Sequence, residues 1–164
     1  MTNKDDKNIT RKSILLHNSE FLPEVIKIIN EKHTVTISLK GFSMRPFLED
    51  GRDKALLAQP HSPLQIGDIV LAETHPGHYV LHRIINITKQ DVTLRGDGNI
   101  LVEHCKVKDI KAFALGFYRK GRNTLDSTNS QKFKIYSKIW MFLFPIRRYL
   151  LAVYRRWVKL FGPI

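Results

Sequence analysis

Turn residues cut the chain between Thr34 and Arg119 into short apolar runs, and this punctuation constrains the fold more than any other feature. The runs are 34–39, 54–58, 68–73, 79–87, 92–95 and 111–119. Glu49-Asp50-Gly51, the prolines at 60 and 63, Pro76-Gly77 and the stretch 96–99 supply the turns between them. Six such runs predict a mostly β protein, built as a compact, coiled, antiparallel β domain. With 164 residues, 43% of them hydrophobic and 26% charged, the chain is long enough for one domain with its own core. Its one cysteine, Cys105, cannot form an internal disulfide, which removes the disulfide-stapled secreted class.

The ends of the chain read differently. Residues 1–12 are polar and charged with no apolar stretch, so neither a signal peptide nor an N-terminal anchor helix is expected. A short helix is expected over 19–32, capped by Ser19, with Leu22, Val25, Ile26 and Ile29 on one stripe. The organisation read this way is a flexible N-terminus (1–18), a domain (19–120), an Asn/Ser/Thr-rich linker (121–131) and a basic tail (132–164).

The net charge of +12 is unevenly placed. Residues 131–164 hold eight of the 27 basic side chains and none of the 15 acidic ones, which leaves +4 on everything before them. The tail's longest uncharged run, 139–146, is far short of the ~20 residues needed to cross a bilayer, and Pro145 interrupts it. Beyond Pro145, Ile146, Leu150, Val153, Trp157 and Leu160 recur at steps of three and four, and Arg147, Arg148, Arg155, Arg156 and Lys159 fill the other faces. That is the pattern of a basic amphipathic helix at an anionic membrane surface. The alternative is a helix packed on the protein with its arginines in solvent. No recognition module accompanies the charge, so nucleic acid is not an expected partner. The expected location is cytoplasmic and peripherally membrane-associated.

Three places in the β region carry chemistry. Ser43 follows a strand and a glycine in Gly41-Phe42-Ser43-Met44-Arg45-Pro46, where its hydroxyl and the following N–H groups can face an oxyanion. His82 interrupts an apolar strand and can act as a general base. Asp97, in Arg95-Gly96-Asp97-Gly98-Asn99, and Glu103 beyond it are carboxylates able to orient an imidazole. Each has an ordinary reading as well: a turn serine, a core histidine, a turn aspartate. Cys105 beside His104 lacks the paired ligand spacing of a metal site, and no metal or cofactor is expected.

Taken in order, the segments GFSMRPFLEDGRD (41–53), IGDIVLAE (66–73), YVLHRII (79–85) and LRGDGN (94–99) make residues 34–120 resemble the signal peptidase I and LexA-like serine peptidase superfamily. Bacterial signal peptidases and LexA-like repressors use lysine as the base. The His82-Arg83 pair is instead similar to the endoplasmic-reticulum and archaeal type. The resemblance implies a serine endopeptidase acting on a peptide or protein precursor, with Ser43 as nucleophile and His82 as base. Glu103 or Asp97 would be the third member, with Glu103 favoured and Asp97 as a supporting carboxylate. Many relatives carry a serine where this chain has Gly41, which implies an oxyanion held by backbone donors alone. A peptide-binding partner that keeps the fold without catalysis is the alternative.

Overall fold

The computed structural model of the chain describes residues 18–163. Residues 1–17 of the expected flexible N-terminus lie outside what is described, and Ser19, expected as a cap, falls inside the first helix instead. Helix α1 (Asn18–Asn30) turns Leu22, Val25 and Ile29 into the core. Burying each such side chain is worth about 1.5–3 kcal/mol, which is what holds so short a helix to the sheet.

Eight strands follow: β1 (Val35–Ser38), β2 (Lys54–Ala58), β3 (Ile69–His75), β4 (His78–Ile87), β5 (Asp91–Arg95), β6 (Glu103–Lys106), β7 (Ile110–Tyr118) and β8 (Leu125–Ser127). They form one curled sheet in the order β1-β2-β7-β3-β4-β5-β6, with β8 paired to β7. Every pairing is antiparallel. The fold is therefore mostly antiparallel β, as the turn punctuation predicts. Strand β7 is the hub, since its first half pairs with β3 and its second half with β8. A bulge between Leu56 and Leu57 bends the β2–β7 pairing and adds to the curl.

The core has two parts, one on each side of β3. Ile69 and Leu71 face α1, β1, β2 and the apolar residues Met44, Phe47 and Leu48. Val70 and Ala72 face Ile84, Val92, Leu94 and Ile110. A strand buried on both faces needs an unbroken apolar run, and Ile69-Val70-Leu71-Ala72 is one.

Two elements differ from the sequence reading. Strand β6 is an edge, half-exposed and polar in sequence, so nothing in its composition announced a strand. The expected linker is tied into the sheet: it contains β8, and the Thr128 hydroxyl lies 2.9 Å from the carbonyl oxygens of both Ala114 and Leu115. The tail also divides. Helix α2 (Gln131–Phe142), N-capped by Ser130, buries Phe133, Ser137 and Trp140. A 3-10 turn (Phe144–Ile146) containing Pro145 then leads into α3 (Arg147–Phe161).

Candidate active site

The segment after β1 is pinned from below by the buried side chains of Met44, Phe47 and Leu48. Its start is held by the Gly41 N–H, which donates to Asp50 Oδ1 at 2.6 Å. Gly41 has φ +90°, a conformation that disfavours any residue with a Cβ. Farther along, buried Asp53 accepts the Glu49 N–H at 2.9 Å and the Lys120 N–H at 2.9 Å, and is paired with Arg52. Burial works against the Asp53 charge, but these hydrogen bonds outweigh it and hold the carboxyl below its usual range. Ser43 is thus carried on a stretch fixed at both ends.

Opposite it lies the turn after β5. The Gly98 N–H donates to the Ser43 carbonyl at 2.7 Å. A Cβ on Gly96 would lie 3.0 Å from His82 Nε2 and collide with that same carbonyl oxygen. Gly98 is as tightly confined, since a Cβ there would sit 2.7 Å from the Phe42 oxygen. The glycines of the Arg95-Gly96-Asp97-Gly98 stretch therefore serve close approach, which lets the turn touch the Ser43 main chain and the imidazole together.

His82 lies on β4, opposite Val70 of β3, and is almost fully buried. Its Nδ1 is 3.1 Å from Glu103 Oε2. A carboxylate only accepts, so Nδ1 carries the proton and Nε2 keeps its lone pair on the side of Gly96. Burial pushes the imidazole below its ordinary value of 6.5, against the opposing pull of Glu103 and Asp97. At neutral pH the ring is an uncharged base. Ser43 and His82 both line a cavity of about 120 Å³ with Leu39, Met44, Tyr79 and Leu81. Among the described residues the Ser43 hydroxyl makes no hydrogen bond, to His82 or to any other group. The Ser43 and Met44 N–H groups are likewise unengaged, which leaves two donors beside that hydroxyl.

Asp97 stands apart from the imidazole. Because side chains alternate along β4, Arg83 points to the other face from His82. There Arg83 Nε and Nη2 grip Asp97 at 2.9 and 2.7 Å, with both side chains 1% exposed. Arg83 Nη1 also donates to the Gly67 carbonyl at 3.0 Å and to Ser137 Oγ at 2.5 Å. Trp140 Nε1 donates to the Asp97 carbonyl at 3.1 Å. The structure thus brings Glu103 to His82 Nδ1 and Ser43 to the same cavity as His82, and pairs Asp97 with Arg83 as the anchor of the turn.

Sequence reasoning missed Arg83, Ser137 and Trp140. A buried aspartate in a turn requires a cation, and Arg83, inside an apolar strand, was the visible signal. Nothing in the sequence marked Ser137 or Trp140. Cys105 is a poor nucleophile, since burial, with Asp109 and Glu103 nearby, pushes its thiol up to about 11. Among the described residues no cluster of His, Cys, Asp and Glu is suited to a metal ion, and no helix is long and apolar enough to cross a membrane. No family model, curated protein or solved structure matches the chain.

Proposed function

We propose that this chain is a serine endopeptidase of the signal peptidase and LexA-like type, working through Ser43, His82 and Glu103. The observation that carries the reading is His82 itself: buried, neutral, held at Nδ1 by a carboxylate, with Nε2 and the Ser43 carbonyl both close against Gly96. In the first step Ser43 Oγ bonds to the substrate's peptide carbonyl carbon while its proton passes to His82 Nε2. Glu103 stabilises the resulting imidazolium. The oxyanion is held by the Ser43 and Met44 N–H groups, a type of contact worth about 2.7–4 kcal/mol per donor. Collapse breaks the C–N bond, and His82 returns the proton to the leaving amine. Water then releases the acyl group by the same path. The modest cavity suits a small substrate side chain beside the scissile bond.

The substrate in this reading is a peptide or protein precursor. The chain is cytoplasmic and held peripherally at an anionic membrane surface by its C-terminal segment.

A serine-reactive fluorophosphonate tests the chemistry without a known substrate. Intact mass should show one adduct, mapped to Ser43 and absent from Ser43→Ala. The second reading, a peptide-binding partner without catalysis, is favoured by the unbonded Ser43 hydroxyl. It predicts no adduct and unimpaired peptide binding by Ser43→Ala.

A further inference from the structure

The two tail helices share a composition but not a role. Helix α2 is committed inward through Phe133, Ser137 and Trp140. Helix α3 has three sectors. One is docked: Arg147 and Leu151 are buried, and Tyr154 and Val158 are partly covered. Arg147 stacks over the Trp140 ring at 5.0 Å and donates to the Trp140 carbonyl at 2.5 Å, so this arginine belongs to the interior and not to the basic face the sequence suggested.

The second sector is apolar and open. Ile146, Tyr149, Val153, Trp157, Leu160 and Phe161 are between 48% and 73% exposed. They follow steps of three and four, so they form one stripe along the helix. Phe142, the last residue of α2, is also 82% exposed. The third sector carries Arg148, Arg155, Arg156 and Lys159, all exposed. No acidic residue occurs anywhere from 131 onward.

We propose that α3 lies flat on an anionic lipid bilayer, with this stripe at the depth of the acyl boundary and the basic sector against the headgroups. Charge selects this occupant. A second copy seated on the stripe by a twofold axis would bring two sets of like charges together with no acid to offset them. An anionic bilayer supplies the missing charge and accepts the apolar row. At 15 residues α3 is about 22 Å long, suited to lying in the interface and too short to cross it. This deepens the membrane attachment in the proposed function and rests on that part of it. It does not depend on the Ser43 chemistry.

The test uses the full chain with vesicles of phosphatidylcholine alone and with about one-third phosphatidylglycerol, an anionic fraction that makes basic-patch binding measurable. The chain should sediment with the anionic vesicles only, and less as salt rises. The emission of Trp157 should shift to the blue on binding, a change lost in Trp157→Phe. Val153→Glu/Leu160→Glu, both at exposed positions, should abolish sedimentation. Neutralising Arg148, Arg155, Arg156 and Lys159 to glutamine should weaken it by about a hundredfold or more.

Failure of the wild type to bind anionic vesicles at low salt would overturn the proposal. So would binding by the Val153→Glu/Leu160→Glu variant equal to wild type, or a wild-type dimer that this variant dissolves while vesicle binding persists. Fluorophosphonate labelling of that variant stays at the wild-type level if only the membrane surface was misread, and is absent from both proteins if the peptidase reading fails.

Discussion

His82 and Arg83 are neighbours on β4, each facing a carboxylate, and burial makes the two pairs into different devices. On one face, Arg83 and Asp97 are sealed from solvent, bidentate, and further bonded to Gly67 and Ser137. The effect of such a pair is positional: it fixes the turn that carries Gly96 and Gly98. On the other face, His82 meets Glu103 through a single contact, and the Glu103 side chain is 31% exposed. Burial there works against the charged imidazole, while Glu103 favours it. One strand thus carries a scaffold pair and, in the proposed mechanism, a working pair, on adjacent residues that the pleat turns to opposite faces.

Substitutions should separate the two. The largest effect belongs to the working face: His82→Gln should slow fluorophosphonate labelling about a thousandfold or more, with the urea midpoint little changed. A labelling rate near wild type would show that the imidazole is not the base. Next comes the scaffold face. Asp97→Asn leaves the Arg83 charge buried without its counterion and should cost about 3–5 kcal/mol in urea unfolding. The double substitution Arg83→Met/Asp97→Leu should recover much of that loss. Equal stability of Asp97→Asn and wild type would contradict the structural role given to the pair. The smallest effect is expected at Trp140→Phe, which removes one hydrogen bond to the Asp97 carbonyl and should cost about 1 kcal/mol. A much larger loss would mean that α2 holds the turn by more than that bond.

Legibility in the sequence tracked how local each signal was. Turn glycines and prolines mark strand ends within a few residues, so all six expected strands appear close to where the punctuation put them. Strands β6 and β8 were silent because each pairs with only one neighbour and has little apolar pattern to display. Ser43 and His82 stood out through the order of four segments, since neither carries weight alone. Between Glu103 and Asp97 the sequence favoured Glu103 by resemblance alone, because both follow the same strand within a few residues. Only the side of β4 on which each carboxylate lands distinguishes them, and Arg83 claims one of them. Which part of the tail packs inward was not legible for a similar reason. Both helices are basic and aromatic on several sides, and only tertiary packing decides that Trp140 goes inward while Trp157 stays out.

The central claim is that a neutral His82, oriented by Glu103, activates Ser43. The pH profile of the labelling rate, measured for wild type and Glu103→Gln, tests it most directly. Burial favours the uncharged ring, so the rate should hold a plateau at neutral pH and fall only as the pH drops below 6.5. The Glu103 carboxylate raises the imidazole pKa against that burial, so its loss should move the acid limb lower still and lower the plateau. A limb at or above 6.5, or one that Glu103→Gln leaves in place, would contradict the account.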